Sequence, residues 1–273
     1  MKVLYVTDLD GTLLNNKAEL SEYTVTTING LIDKGMFFTY ASARSLVSAS
    51  GVIKGLKTNI PVITKNGIFI ENAHTKEKIY SLFFSHEEKY LLMDILEKYS
   101  VYPLVYGFID GIEKKSWLKD KENEGVKSEL GSWKDDPRYR PVNSINDLYL
   151  GDIFHINCIG KREDLKDVYK YLTEMEYFNC LLEKEYYSDH YWCQILPKKA
   201  TKGNTVQVLK ELYKYDKIIS FGDGINDIPM FKISDESYAV ENAADELKNI
   251  ATDVIMSNEN NGVAQWLEKN YNT

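Results

Sequence analysis

The sequence predicts an α/β fold: a doubly wound parallel sheet with an inserted α+β domain. Strand-like and helix-like segments alternate over residues 1–83 and again over 197–273, as they do in a parallel sheet with helices on its faces. Between these ranges the spacing changes, so residues 84–196 are predicted to form a separate α+β insertion. The predicted core, 1–83 with 197–273, is therefore discontinuous in sequence.

The first part of the core begins with an apolar, β-branched segment over 2–7 that stops at an Asp-Gly turn signal. Such a segment predicts a buried central strand. Apolar residues at helical spacing predict a helix over 21–34, ended by Gly35. The other elements predicted for this part are a strand over 36–41, a helix over 44–54, a strand over 61–64 and a hairpin of 67–71 with 78–81.

The insertion is predicted to begin with a helix over 87–99 and short aromatic strands within 101–109. A polar stretch follows, holding 119–127 and 135–141, and then a strand, a helix and two strands over 155–159, 163–175, 178–183 and 192–196. After Pro197 the alternation resumes. The elements predicted for the rest of the core are a helix over 202–213, strands over 217–221, 238–240 and 253–255, and a helix over 263–270.

Composition indicates a soluble globular protein, with 44% hydrophobic and 27% charged residues over 273 positions. The net charge, 33 − 41 = −8, argues against a broad nucleic-acid surface but permits a small anionic ligand in a locally cationic pocket. Cys158, Cys180 and Cys193 are odd in number and lack CxxC spacing, so neither a disulfide framework nor a zinc site is indicated. We expect a reducing, cytoplasmic location and no membrane partner, since no apolar run reaches membrane-spanning length.

Polar side chains are concentrated where ligands of open α/β sheets bind, beyond the carboxyl ends of strands. Four segments have this character: Asp8-Leu9-Asp10-Gly11-Thr12, Ser42-Ala43-Arg44, Lys202-Gly203-Asn204 before a core helix, and the run from Gly222 to Asp227. Asp8 and Asp10 are one residue apart, and Gly11 lets the chain unwind after them, so both carboxylates can face one cleft. Asp8 is predicted to attack phosphorus as a carboxylate nucleophile. Asp10 is predicted to protonate the departing alcohol and then deprotonate the water.

Four Asp side chains and a phosphate dianion would repel one another strongly in a low-dielectric cleft, so the site requires cations. Magnesium fits the carboxylates of Asp8 and Asp223, the backbone carbonyl of Asp10, waters and a phosphoryl oxygen. Lys202 is predicted to add a second positive charge. The remaining predicted phosphate contacts are the Ser42 hydroxyl and nearby backbone N–H groups at Leu9 and Ala43.

In this order, DLDGTLL, ASAR, KATKGN and FGDGINDIPMF resemble the four motifs of the haloacid dehalogenase-like superfamily. ITKNGIFI and VENAADELKNIATDVIMSNENNGVAQWLEK further resemble the Cof-type phosphatases, whose large cap domain lies between the second and third motifs. The insertion over 84–196 fits such a cap in position and approximate length. One departure is ASAR, where the family often has ATGR; serine keeps the hydroxyl, and Ala43 restricts the turn slightly.

The resemblance implies a role for each matching residue. Asp8 would be the nucleophile, Asp10 the acid/base and a metal ligand through its carbonyl, and Asp223 a metal ligand. Ser42 and Lys202 would contact phosphate. Asn226 would also bind phosphate, while Asp227 would support either the metal or Lys202. The implied substrate is a small phosphomonoester, such as a sugar phosphate or similar metabolite, over which the cap is expected to close.

Plainer interpretations exist for several of these residues. DxDGT alone also fits a calcium-type loop or a turn, Ser42 could cap the helix that begins near Arg44, and Asn226 and Asp227 could cap the helix that contains Pro229. Arg44 is interpreted as a surface or helix-start arginine.

Three other functions share parts of this sequence pattern. A phospho-accepting receiver is disfavoured by length and by motif order, and a dinucleotide-binding enzyme by the lack of GxGxxG. A sugar phosphomutase stays the nearer alternative. The expected assembly is a monomer or weak homodimer that binds no nucleic acid.

Overall fold

The computed structural model describes residues 1–131, 136–184 and 189–271, and the chain divides into two compact units. The core unit comprises Met1–Ser81 and Ala200–Thr273, and the cap unit comprises Leu82–Lys199. These bounds differ by two and three residues from the insertion predicted at 84–196. Among the described residues, no helix is both long enough and apolar enough to span a membrane.

The first part of the core unit begins with a strand that is buried on both faces. Leu4 and Val6 on one face and Tyr5 and Thr7 on the other are all less than 9% exposed. A strand covered on both sides belongs at the centre of a parallel sheet. The elements of this part are β1 Val3–Thr7, α1 Glu22–Asp33, β2 Phe37–Tyr40, α2 Leu46–Val52, β3 Val62–Thr64, β4 Phe69–Glu71 and β5 Lys78–Ser81.

The cap unit contains a six-stranded sheet whose central strand, Asp152–Gly160, packs apolar side chains against two long helices. Ile153, Ile156 and Cys158 of this strand share a core cluster with Leu92 and Val168 of those helices. The elements are α3 His86–Lys98, β6 Leu104–Ile109, β7 Ile112–Leu118, α4 Glu124–Gly131, β8 Tyr139–Val142, α5 Ile145–Leu148, β9 Asp152–Gly160, α6 Arg162–Met175, β10 Phe178–Lys184 and β11 Tyr191–Pro197. The strand order is β10-β11-β9-β6-β7-β8.

The polar stretch predicted over 119–127 and 135–141 contains regular structure. Helix α4 starts at Glu124 and strand β8 starts at Tyr139, while Asp135 lies outside the described residues. Strand β7 was also not predicted. Its sequence IEKKSWL reads as polar, yet Lys115 is only 4% exposed because its ammonium binds Glu129 of α4 at 2.5 Å.

The chain then returns to the core unit and completes its parallel sheet. The elements are α7 Lys202–Tyr213, β12 Lys217–Gly222, α8 Ile228–Ile233, β13 Glu236–Val240, α9 Asp245–Lys248, β14 Asp253–Ile255 and α10 Gly262–Asn270. The strand order is β14-β13-β12-β1-β2, with every pair parallel, so β2 lies on one side of β1 and the later strands lie on the other. The predicted doubly wound sheet with an inserted α+β domain is confirmed. Ligands of such sheets bind where the strand order reverses, which in this chain is at β1.

Two helical glycines allow a matched test of helix packing in the core unit. A Cβ on Gly203 of α7 would lie 2.2 Å from the carbonyl oxygen of Pro229 in α8, whereas a Cβ on Gly30 of α1 would meet nothing within 4 Å. We expect Gly203→Ala to lower the free energy of unfolding by about 1–3 kcal/mol or more, because backbone must move apart. Gly30→Ala is expected to raise it by about 0.5–1 kcal/mol through helix propensity. Urea denaturation measures both, and a stabilising Gly203→Ala would contradict the close contact of α7 with α8.

Candidate active site

Three strand ends lie side by side at one edge of the core sheet. Thr7 at the end of β1 pairs with Tyr40 of β2 and with Phe221 of β12. The Asp8 N–H donates to the Phe221 carbonyl oxygen over 3.0 Å, and the Ala41 N–H donates to the Thr7 carbonyl oxygen over 2.9 Å. The segments that follow these strands therefore converge, although they come from distant parts of the chain.

The segment after β1 forms a wide helical turn over Leu9–Leu13 that fits tightly against Asp223. Gly11 in this turn has φ +76°, and a Cβ on it would lie 2.3 Å from Oδ2 of Asp223, so both the backbone and the space require glycine. Oδ1 of Asp223 accepts a hydrogen bond of 2.6 Å from the Thr12 hydroxyl. The turn thus fixes the Asp223 carboxylate beside Asp8.

Lys202, the first residue of α7, is buried between two carboxylates. Its ammonium Nζ lies 2.8 Å from Oδ1 of Asp8 and 2.7 Å from Oδ1 of Asp227, and its side chain is 1% exposed. Oδ2 of Asp227 accepts the backbone N–H groups of Asp223 and Gly224, each at 3.0 Å. Asp227 therefore fixes both the lysine and the loop that carries Asp223.

The protonation behaviour of the cluster reflects its burial first and a shortage of positive charge second. Burial raises the pKa of Asp8 to about 8, a shift that Lys202 opposes and that Asp227 and Asp223 increase. Burial also raises the pKa of Asp223, although the hydrogen bond from Thr12 opposes the shift. Burial alone would lower the pKa of Lys202, but the carboxylates of Asp227 and Asp8 more than offset it, so the net shift is upward and Lys202 is cationic. The three carboxylates of Asp8, Asp223 and Asp227 thus have one ammonium group, that of Lys202, beside them.

Asp10 makes a two-point ion pair that the sequence did not indicate. Nε of Arg44 donates to Oδ2 of Asp10 at 2.7 Å, and one terminal nitrogen donates to Oδ1 at 2.6 Å. The Arg44 side chain is 23% exposed and its other terminal nitrogen donates to Ser48 at 3.1 Å. The interpretation as a surface or helix-start arginine therefore missed a specific partner in the predicted acid/base.

The predicted phosphate contacts after β1 and β2 lie at the same edge of the sheet. Ser42 is fully buried and its Oγ accepts the Arg44 N–H at 3.1 Å, which leaves the hydroxyl hydrogen available to a further acceptor. Ser42 does not cap α2, because the capping side chain is that of Ser45. The Leu9 side chain is buried in the core and Ala43 is exposed, so only their backbones are candidates for binding phosphate.

Asn226 precedes α8 in a short 3-10 turn over Ile225–Asp227, and its amide faces another amide. Nδ2 of Asn226 donates to Oδ1 of Asn66 at 3.1 Å. Neither Asn226 nor Asp227 supplies a side-chain cap to α8. Asp227 nevertheless occupies the N-cap position of α8, and its Oδ2 accepts the Gly224 N–H at the start of the preceding 3-10 turn, so the capping interpretation holds in part for Asp227 and not for Asn226. Phosphate binding by Asn226 stays a prediction.

The residues at this edge of the sheet offer a set of oxygen donors that fits a divalent cation. Within residues 1–131, 136–184 and 189–271, Asp8, Asp223 and Asp227 form a group whose nearest carboxylate oxygens all lie within 4.8 Å of one another. Hard oxygen donors at such spacing suit Mg²⁺. The predicted metal role of Asp227 competes with its bonds to Lys202 and the loop, so Asp8 and Asp223 are the freer carboxylates.

Two asparagines near the C-terminus hold the Asp8 turn in place. Nδ2 of Asn242 donates to the Gly11 carbonyl oxygen at 2.7 Å, and Oδ1 of Asn242 accepts the Asn258 N–H at 3.0 Å. Nδ2 of the buried Asn258 donates to the Leu14 carbonyl oxygen at 3.0 Å. These asparagines lie in the segments VENAA and SNENNG, which are part of the resemblance to the Cof-type phosphatases. The sequence did not indicate what the two side chains contact.

Known proteins resemble the chain over its whole length. Residues 5–267 match the sequence model of the haloacid dehalogenase-like hydrolases. Two Bacillus subtilis proteins named 5-amino-6-(5-phospho-D-ribitylamino)uracil phosphatase, YitU and YwtE, are 24% and 26% identical to it, over 97% and 96% of this chain and 96% of each relative. The crystal structure of TM0651 from Thermotoga maritima has 28% identity and a TM-score of 0.77, covering 100% of this chain and 98% of that protein.

Proposed function

Because the chain belongs to the haloacid dehalogenase-like hydrolases and is a phosphatase, we propose that it hydrolyses a small phosphomonoester through an aspartyl-phosphate on Asp8. The family predicted from the four motifs is confirmed. The observation that carries the proposed chemistry is the buried Asp8 carboxylate, held 2.8 Å from the Lys202 ammonium and beside Asp223 at the edge of the sheet. A carboxylate held in place beside a cation is a suitable nucleophile for phosphorus.

In the first step, an Asp8 carboxylate oxygen attacks phosphorus and the bond from phosphorus to the ester oxygen breaks. Asp10 donates a proton to the departing oxygen, so the alcohol leaves neutral. The Lys202 ammonium, the Ser42 hydroxyl and the Asn226 amide stabilise the charge that develops on the phosphoryl oxygens. Both Asp10 oxygens accept from Arg44 in the structure, so at least one of these bonds opens before Asp10 carries that proton.

In the second step, water attacks the phosphorus of the aspartyl-phosphate and passes a proton to Asp10. The bond from phosphorus to the Asp8 oxygen breaks, which releases inorganic phosphate and restores the Asp8 carboxylate. Splitting hydrolysis into two displacements lets one set of residues serve both.

The residues that would hold Mg²⁺ are Asp8 and Asp223 through their carboxylates and Asp10 through its backbone carbonyl, with Asp227 acting chiefly through Lys202. When bound, the ion would neutralise the acidic cluster, favour ionised Asp8 and draw charge from a phosphoryl oxygen. The shortage of positive charge around Asp8 supports this requirement.

For the substrate, we propose a sugar phosphate or a phosphorylated sugar alcohol. The names of the two Bacillus subtilis relatives support this class, because the substrate in those names is a phosphorylated ribityl compound. Phosphate release should be compared, as kcat/KM, across 5-amino-6-(5-phospho-D-ribitylamino)uracil, sugar phosphates, flavin mononucleotide, pyridoxal phosphate and nucleotides. An equal kcat/KM for every compound would contradict a specific substrate. Formation of an isomeric sugar phosphate without phosphate release would indicate a mutase instead.

Removal of divalent metal is the direct test of the reaction class. We expect a chelator to abolish phosphate release from an aryl phosphate and added Mg²⁺ to restore it. Asp223→Asn should require at least about tenfold more Mg²⁺ for half-maximal rate, since even outer contacts of metal sites contribute this much. The matched control is Asp245→Asn, whose carboxylate is 95% exposed in α9. Turnover that is unchanged by the chelator would contradict the proposal.

The expected cellular setting and assembly stay proposals. Cys158, Cys180 and Cys193 are free thiols, as a reducing cytoplasm would maintain them. We keep a small phosphorylated metabolite as the partner, and a monomer or weak homodimer as the assembly.

A further inference from the structure

Three consecutive residues in the core unit adopt left-handed backbone conformations. Lys65, Asn66 and Gly67 have φ values of +50°, +56° and +92°. Such values are uncommon outside glycine and persist only where the surroundings enforce them. These residues form the turn between β3 and β4, and none of the roles described above accounts for their conformation.

The surroundings of the turn are the segments proposed to bind phosphate. The Lys65 N–H donates to the Arg44 carbonyl oxygen, and the Asn66 N–H donates to the Ser42 carbonyl oxygen, each at 2.9 Å. The Gly67 carbonyl oxygen accepts the Thr205 hydroxyl of α7 at 2.6 Å. The turn therefore connects the segment after β2 to the helix that begins with Lys202.

The Asn66 side chain extends this connection to the segment after β12. Asn66 is 6% exposed, and its Oδ1 accepts Nδ2 of Asn226 at 3.1 Å. Oδ1 of Asn226 lies on the Gly224 side, where a Cβ on Gly224 would meet it at 2.6 Å. The hydrogen bond to Asn66 therefore orients the Asn226 amide, and its second N–H remains for another acceptor.

We infer that Asn66 is a positioning residue for phosphate binding: it orients the Asn226 amide so that the second N–H points to a phosphoryl oxygen. The inference rests on the proposed function for the role of Asn226. The strained turn serves this purpose because the left-handed conformation at residue 66 keeps the side chain directed at Asn226 while the backbone binds Ser42.

Asn66→Gly removes the side chain and keeps the backbone conformation, because glycine adopts the left-handed conformation without strain. The variant therefore tests the role of the side chain alone. Calorimetric titration with inorganic phosphate in the presence of Mg²⁺ is the readout. We expect the Kd of phosphate to rise about five- to tenfold, as for a lost hydrogen bond, while the melting temperature changes little. In an Asn226→Ala background, the same substitution should change the Kd by less than about twofold, because the residue that it orients is absent.

Asn261→Gly is the matched control, since Asn261 also has a left-handed φ of +56° and a partly buried side chain, whose Oδ1 accepts from the hydroxyls of Ser21 and Thr24. It should lower the melting temperature and leave the phosphate Kd unchanged. An unchanged Kd in Asn66→Gly, or equal weakening with and without Asn226, would overturn the inference. Wild-type protein that binds phosphate but turns over no phosphomonoester would instead count against the proposed reaction, and the binding cycle would still decide the role of Asn66.

Discussion

Asp8→Asn is expected to lower kcat for phosphate release by at least about a thousandfold, because asparagine cannot form the aspartyl-phosphate and only the binding groups remain. The measurement is phosphate release from an aryl phosphate at saturating Mg²⁺. In a single-turnover reaction stopped with acid, a labelled phosphoryl group from the substrate should remain on the wild-type protein. No label should remain on the variant. Asp245→Asn, in an exposed position, should retain full activity. Metal-dependent turnover that is retained by Asp8→Asn would show that another group attacks phosphorus.

The same substitution should stabilise the metal-free protein. Burial raises the pKa of Asp8 from its ordinary 3.8 to about 8, so the folded state disfavours the ionised carboxylate that the unfolded chain adopts. The resulting loss of stability grows as pH rises from about 4 to about 8, and Asn removes it. The melting temperature of Asp8→Asn should therefore exceed that of the wild type by a margin that increases across this pH window. If the difference in melting temperature instead shrinks as pH rises, burial of Asp8 is not the cause of its raised pKa.

Lys202→Met is expected to have the largest combined effect on stability and activity. The substitution leaves the carboxylates of Asp8 and Asp227 buried without the ammonium that lies 2.8 and 2.7 Å from them. Breaking a buried ion pair on one side lowers the free energy of unfolding by about 3–5 kcal/mol. Loss of a cationic contact to the transferring phosphoryl group should lower kcat by about 100- to 1,000-fold. Urea denaturation and phosphate release measure the two effects.

Two comparisons make the Lys202 prediction specific. Lys198→Met removes an exposed lysine four residues earlier and should change the free energy of unfolding by less than about 0.5 kcal/mol. Combining Lys202→Met with Asp227→Asn removes one of the unpaired carboxylates, so the double variant should be less destabilised than the sum of its single variants. Strictly additive losses would mean that Lys202 and Asp227 do not stabilise each other.

Elements whose side-chain pattern is local were predicted closely. Helix α7 and strand β14 have the predicted bounds, and β1 starts one residue later than predicted. Among the elements that were missed, β7, α4 and β8 depend on a distant partner for their burial. Lys115 can lie inside the cap unit only because Glu129 binds its ammonium and the rings of Tyr106 and Tyr139 lie against it. A lysine that is buried in this way is indistinguishable from a surface lysine in the sequence.

The fold class, the family and the residue types of the candidate site could be read from the sequence alone, because strand periodicity and the short motifs around Asp8, Asp10 and Asp223 are each local. Which of these side chains bind one another became visible only in the folded chain. Arg44 reaches Asp10 across 34 positions, Lys202 reaches Asp8 and Asp227, and Asn66 reaches Asn226 across 160. Such pairings follow from the register of parallel strands, which places the ends of β1, β2 and β12 at one edge of the sheet, and no local pattern encodes that register.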